Sequence, residues 1–414
     1  MNYEPNPSIF TVFHQIRKHY ISIFLIFLIF IVDSKIIIGN KMLNSTLNNH
    51  NRFNNAEVRS DRTTLIKEKP FFPFGFYHVS WENSANNQMR IGDWQEIAEA
   101  GFNAIYLSSP WENVYEEVLD EAAKLGLQVI AENIISRSQI IDTFKNKSAV
   151  FGWSIADDVD DGRYSTQQVC DFYRQAKTAN PDRLTYISGY TDDLGRFAQC
   201  SDLIARQAYP IRTGIDSEIS TVYSDISRTL QDMVRWKHDR HHRSIYANIQ
   251  AFSWAEMEPD RPYNQEARAP TAQEVRNMTY QALLAGAKGI FYYTYHDEIW
   301  HLPDRPELWQ GVKALVPEIQ EIAPFLLDGD AWQIASDREN LLVGIWTLKE
   351  RALLMLINNS YTKIDNILVK LPASYSDMTS LFASNSMGIN LDRGWLSGSL
   401  LPLEVSVYQL KIQS

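Results

Sequence analysis

Beyond residue 70 the chain alternates short apolar runs with longer segments whose apolar positions recur at helical spacing. The runs are 71–77, 103–107, 128–132, 149–156, 184–188, 202–209, 244–250 and 289–295. Several are apolar almost throughout, as strands covered on both faces must be. Between and after them, 111–125, 166–178, 219–236 and 306–327 carry helical patterns. Ser165 with Gln168, and Thr271 with Glu274, have the spacing of reciprocal helix caps, and Gly101, Gly126 and Gly286 stand where helices close. This alternation predicts an α/β fold, a (β/α)₈ TIM barrel over 69–328. A doubly wound sheet is the alternative, but no G-x-G-x-x-G turn follows the first run.

After about residue 328 the texture changes to short strand-like runs at 341–347, 352–358, 367–371 and 403–412, separated by turn-like stretches. A small all-β sandwich over 329–414 is expected. At the other end, Arg17 and Lys18 precede a run over 21–32 that is apolar except for Ser22, followed by Asp33 and Ser34. Residues 1–40 therefore read as a signal peptide or a membrane anchor. The Asn-rich stretch 41–68 reads as a polar linker that carries no core. An extracytoplasmic location follows: secreted, periplasmic or anchored by the N-terminal segment.

Composition narrows the partner. The 414 residues are 45% hydrophobic and 12% aromatic, with a formal net charge of −11. That balance disfavours nucleic acid and anionic membrane surfaces, which reward a basic face, and favours a neutral partner such as carbohydrate. The two cysteines, Cys170 and Cys200, are too few for a disulfide scaffold or a cysteine-based zinc site. They either pair after export or remain two buried thiols. His238, His241 and His242 sit among basic residues and read as a helix end rather than as ligands. No metal ligand set and no cofactor is expected.

In a (β/α)₈ barrel the chemistry sits at the C-terminal ends of the strands. Residues falling there include Trp81 and Glu82, Glu132, Asp157 and Asp158, Tyr209, Gln250 and Trp254, and Tyr295, Asp297 and Glu298. Aromatic rings beside carboxylates are what a sugar site requires, because rings stack on pyranose faces while carboxylates hold hydroxyls and move protons. The cluster Asp157, Asp158, Asp160 and Asp161 concentrates charge that must be solvated, paired or protonated. A solvated loop or a calcium site is the plainer reading, although the EF-loop spacing is absent.

The run G-W-S-I-A-D-D-V over 152–159 resembles the fourth-strand signature of TIM-barrel glycoside hydrolases. Arg276 followed by Y-Q-A-L-L-A-G-A-K-G-I-F-Y-Y over 280–293 is similar to their eighth strand. With the barrel-then-sandwich order, the resemblance extends over roughly residues 70–414 and marks a divergent member. It implies hydrolysis of glycosidic bonds, with Asp158 at the position of the acid/base glutamate and Asp157 on the preceding Asn or Asp. Where that superfamily carries a nucleophilic glutamate at the seventh strand, this chain has Gln250. An amide cannot form a glycosyl ester. The second catalytic carboxylate is then expected from Glu256 or Glu258 further along the loop after that strand, or from Asp297 or Glu298 after the eighth strand, with Asp157 also a catalytic candidate. Trp81, Glu82, Glu132, Tyr209, Gln250, Trp254 and Tyr295 are expected to hold the sugar. Two functions remain open: an exported glycoside hydrolase acting on an oligo- or polysaccharide, and an inactive barrel that only binds glycans.

Overall fold

The structure is a computed structural model that describes residues 55–79, 87–108, 115–133, 139–212, 219–235, 242–261, 266–297, 299–382 and 388–413. The apolar leader, Trp81, Glu82, Glu298, His238 and His241 lie outside the described residues. Among the described residues no helix is long and apolar enough to cross a membrane.

Three short antiparallel strands come first: β1 (Ala56–Val58), β2 (Thr64–Ile66) and β3 (Lys69–Phe71). They differ from the linker expected over 41–68. Ala56 is buried against the barrel interior, and Thr64 Oγ1 lies 2.6 Å from the Tyr246 hydroxyl. The segment is polar in composition, yet its few apolar side chains cover the end of the barrel where the strands begin. Ala56 N–H, donating to the Asp182 carbonyl just ahead of the fifth barrel strand, fixes that placement.

Eight parallel strands then close a barrel: β4 (Phe74–Val79), β5 (Ala104–Leu107), β6 (Gln128–Glu132), β7 (Val150–Ala156), β8 (Leu184–Gly189), β9 (Leu203–Ala208), β10 (Ser244–Gln250) and β11 (Ile290–Tyr293). Each falls within about two or three residues of its expected run, the usual uncertainty of an element's ends. All seven residues of β7 are buried, because one face looks into the barrel and the other meets helices. Tyr77, Tyr106, Tyr186, Tyr246, Phe151 and Phe291 fill the interior. A Cβ added at Gly75 would stand 1.6 Å from the Ala104 carbonyl oxygen, so only glycine allows β4 to approach β5 so closely.

The surrounding helices are α1 (Asn87–Glu99), α2 (Tyr115–Leu125), α3 (Gln139–Phe144), α4 (Thr166–Ala179), α5 (Thr221–Arg235), α6 (Trp254–Met257), α7 (Ala272–Leu284) and α8 (Pro306–Asp328). The reciprocal caps at Ser165 and Thr271 are both formed. Cys170 on α4 is disulfide-bonded to Cys200, which ends a 3₁₀ segment (Asp192–Cys200). The pair therefore ties two neighbouring parts of the outer layer.

The C-terminal part is a sandwich of a five-stranded and a three-stranded antiparallel sheet. Its inner faces pack Leu341, Val343, Ile345, Leu354, Leu356, Val369 and Leu396. The alternate residues Trp346, Leu353, Met355 and Ile357 face the other way and join the barrel's core. Four strands escaped the sequence pattern: Asp330–Ile334, Tyr375–Ser380, Ile389–Asp392 and Trp395–Leu400. They are short and largely polar, so apolar periodicity does not reveal them. Asn277 on α7 stitches the two parts together, its Nδ2 donating to the Asn358 and Leu403 carbonyls at 2.9 and 3.0 Å. Asn277 and Asn358 both head N-x-S/T triplets, but both are fully buried and could not accept a glycan in the folded chain.

Candidate active site

The end of β7 brings the acidic cluster to the C-terminal mouth of the barrel and gives each carboxylate a different environment. Asp157 accepts from the Tyr77 hydroxyl at 2.6 Å, from the Ser188 hydroxyl, and from the Asp158 backbone N–H at 2.9 Å. Several donors converge on Oδ1 and hold that carboxylate in one orientation. Asp160 is buried and accepts from the backbone N–H of Tyr190 and Thr191 and from the Thr191 hydroxyl. It thereby ties the β7 loop to the end of β8. Gly189 makes room, since a Cβ there would meet the Asp160 carboxylate at 2.7 Å. Asp161 pairs with Arg163.

Asp158 is the exception. It adopts a left-handed backbone at φ +46°, which turns the chain sharply at the strand end. Its Oδ1 accepts from Gln207 Nε2 at 2.7 Å, and Oδ2 meets the exposed Arg163 at 3.2 Å. Burial, with the adjacent Asp157 charge as the second cause, pushes its pKa up to about 7. Gln207 and Arg163 oppose the rise without cancelling it. A carboxyl group in this condition carries a proton near neutrality and can deliver it.

Asp158 lines a cavity of about 690 Å³ with Tyr190, Gln207, Tyr209, Arg212, Trp254 and Glu258, among others. One wall is aromatic. Tyr209 stacks on Tyr293 with centroids 5.5 Å apart, while Phe252 and Trp254 meet it edge-on. The Tyr209 hydroxyl and Trp254 Nε1 are buried without a hydrogen-bond partner among the described residues. Arg212 lies over the Trp254 ring at 4.4 Å, and Glu258 pairs with Arg261 at 3.1 Å.

The remaining expected residues divide. Tyr209 and Trp254 line the cavity. Glu132 is buried at the end of β6 and accepts from the Ser108 hydroxyl at 2.7 Å. Asp297 is buried and accepts from the Tyr293 hydroxyl at 2.5 Å.

Two expectations are corrected. Gln250 is fully buried, its Oε1 accepting from the Ile211 N–H at 2.8 Å and its Nε2 donating to the Ile211 and Phe252 carbonyls at 2.8 and 3.1 Å. It braces the loop after β9 and has no polar atom left for sugar. Tyr295 is also fully buried and points outward into the helical layer, donating to Glu96 at 2.7 Å and packing edge-on against Trp309. Its place in the sequence at a strand end did not reveal which side it faces.

Three residues at the site were missed. His78 stacks on Tyr106 at 5.0 Å, and its Nε2 lies 3.6 Å from Asp157 Oδ2. Burial pushes its pKa down to about 4 despite Asp157, so it is a neutral imidazole at neutral pH. Tyr77 remains a protonated donor because burial raises its pKa well above the usual value. Gln207 points into the mouth from β9. A lone histidine at a strand's C-terminal end was a usable signal for His78; Tyr77 and Gln207 carry no spacing that separates them from core.

No family profile and no curated protein sequence matches this chain. Solved structures do. An α-amylase from Geobacillus thermoleovorans, complexed with acarbose, is 12% identical with a TM-score of 0.56, covering 83% of this chain and 99% of its own. A family 5 glycoside hydrolase from Bacteroides vulgatus is 10% identical with a TM-score of 0.60, covering 86% and 93%. AmyP in complex with maltose is 10% identical with a TM-score of 0.54, covering 82% and 97%. At such identities the likeness establishes the fold: a closed eight-stranded barrel followed by an antiparallel β domain, shared with glycoside hydrolases.

Proposed function

We propose that this chain is an exported enzyme that hydrolyses O-glycosidic bonds of an oligo- or polysaccharide, with Asp158 as the general acid. The observation that carries the proposal is a carboxyl group with its pKa pushed up to about 7, set in a cavity with an aromatic wall at the C-terminal end of the barrel. Sugar rings stack on Tyr209 and Trp254, which line the cavity beside Asp158. Asp158 gives its proton to the departing glycosidic oxygen. Burial, with the charge of Asp157 beside it as the second cause, keeps Asp158 protonated.

The second carboxylate is Glu258 or Asp297. Glu258 shares the cavity with Asp158, whereas Asp297 is 4% exposed and does not line it, which favours Glu258 as the base acting on water. The neighbours solved with acarbose and maltose support a carbohydrate substrate. The Cys170 to Cys200 disulfide supports an oxidising, extracytoplasmic location, consistent with residues 1–40 acting as a leader or anchor.

One observation favours the alternative of a silent glycan-binding barrel: the seventh-strand end is occupied by Gln250, with its amide fully committed to backbone. A panel of aryl glycosides and polysaccharides, tested with wild type and with Asp158→Asn, Glu258→Gln and Asp297→Asn, separates the two. Turnover lost in Asp158→Asn with sugar affinity retained supports the hydrolase. Saturable glycan binding with no turnover in wild type supports the binder.

A further inference from the structure

Away from the cavity, β12 (His296–Asp297) and β13 (Trp300–His301) form a small antiparallel hairpin after the eighth barrel strand. His296 and His301 are direct cross-strand partners, so their side chains share one face. That face meets α1, where Asp93 offers one oxygen to each ring. Asp93 Oδ2 is 3.0 Å from His296 Nδ1, and Asp93 Oδ1 is 3.7 Å from His301 Nε2. The three ligand atoms all lie within 4.8 Å of one another.

From this geometry we infer that Asp93, His296 and His301 form a binding site for a divalent transition metal, with zinc the best match. Ligands about 2.0–2.2 Å from a tetrahedral zinc ion stand roughly 3.3–3.6 Å apart; the His296 contact, a hydrogen bond to Oδ2 at 3.0 Å, opens by a few tenths of an ångström to admit the ion, and the His301 contact to Oδ1 at 3.7 Å closes by a similar amount. Two imidazole nitrogens with one carboxylate suit zinc and disfavour calcium or magnesium, which take oxygen ligands.

The other nitrogen of His301, Nδ1, lies 3.4 Å from Asp304 Oδ1. A carboxylate behind a ligating histidine fixes the ring's tautomer and orientation, which is the usual arrangement at zinc sites.

The frame around the site is rigid. Glu96, one turn along α1 from Asp93, accepts from both the Tyr295 hydroxyl and Trp309 Nε1. Leu302 N–H closes the hairpin onto the Tyr295 carbonyl at 2.7 Å. The donors are therefore preorganised rather than gathered by the ion. Side-chain exposures of 31% for His301, 17% for His296 and 14% for Asp93 leave the site reachable from solvent. A bound ion would pin the hairpin carrying Asp297 to the first barrel helix, whatever reaction the cavity performs.

The test uses the full chain, stripped with a chelator and dialysed, then titrated calorimetrically with zinc chloride at neutral pH. One zinc ion per chain, not displaced by calcium, is expected. Bound cobalt should give the visible absorption of a tetrahedral nitrogen–oxygen site, and chelator should lower the thermal midpoint of the loaded protein. Asp304→Asn should weaken zinc by about ten- to a hundredfold, and His301→Ala or Asp93→Asn by at least as much. Circular dichroism of each variant confirms that it is folded. The inference is overturned if wild type binds no zinc. It is also overturned if a folded His296→Ala/His301→Ala double variant binds zinc with unchanged stoichiometry and affinity, which would locate the ion elsewhere, such as at the histidines near residue 240.

Discussion

The side-chain amide of Gln207 donates to Asp158 Oδ1 at 2.7 Å and also reaches Asp157 Oδ1 at 3.5 Å. One neutral donor thus touches both carboxylates at the end of β7. Because it favours the charged form of Asp158, it moderates a pKa that burial and Asp157 drive upward.

With Asp158 as the proposed general acid, that relationship sets the expected pH dependence of turnover. A general acid works while protonated, so activity should be present below about pH 7 and fall as pH rises through that value. Gln207→Leu removes a donor to the carboxylate and should move this alkaline limb upward by about one unit or less. A pH profile of kcat/KM on both proteins checks it. A limb moving downward would remove Asp158 from the acid's role.

The same raised pKa makes a statement about stability. Folded Asp158 keeps its proton to about pH 7, whereas the unfolded chain releases it near 3.8. Between those values the folded state binds more protons, so Asp158 destabilises the fold progressively as pH rises through the window. Asp158→Asn should therefore be more stable than wild type at pH 8, by on the order of 1 kcal/mol given the partial exposure of the group. The gain should vanish below about pH 4. Urea unfolding at the two pH values gives the comparison, and a variant less stable at both would contradict the electrostatic account.

Gln250→Glu would return a carboxylate to the seventh-strand end, but the site is built for an amide. Two donor bonds to the Ile211 and Phe252 carbonyls would be lost, and a charge would be left fully buried. A loss of about 2–4 kcal/mol in stability is expected, with no gain in turnover. Denaturant melts and the glycoside panel report both. A stable variant with new retaining activity would mean that the loop can open to expose position 250.

Most of the barrel was legible because parallel strands buried on both faces leave apolar runs that spacing alone reveals. Chain order places Asp157, Asp158, Tyr209 and Trp254 after such runs, and Asp158, Tyr209 and Trp254 line the cavity. What periodicity cannot supply is the direction of a side chain beyond the strand end. Tyr295 and Tyr209 occupy equivalent places in the sequence, yet one is driven outward by Glu96 and Trp309 while the other faces the cavity. Gln250 looked like a lost nucleophile, and only its three backbone partners identify it as a brace. The Asp93 and His301 pairing joins positions far apart in the chain, so no local motif announces it.

The junction between barrel and β domain should be sensitive to acid. Glu274 on α7 is buried and accepts from both guanidinium nitrogens of Arg268, at 2.6 and 2.7 Å, and from the Tyr361 hydroxyl of the C-terminal domain at 2.5 Å. These donors outweigh burial and hold its pKa down to about 2, against 4.5 for the ordinary value. A depressed carboxylate stabilises the fold fully above its unfolded value, and that stabilisation is lost as pH falls through 4.5 toward 2. The difference corresponds to about 2–3 kcal/mol at neutral pH. Glu274→Gln should lower stability by about that amount at pH 7 and flatten the decline between pH 5 and about pH 2. Tyr361→Phe, which removes only the inter-domain donor, should cost about 1 kcal/mol and leave the glycan binding proposed for the barrel unchanged. Thermal melts across this pH range decide it: parallel curves for wild type and Glu274→Gln would mean that acid unfolding begins at another carboxylate.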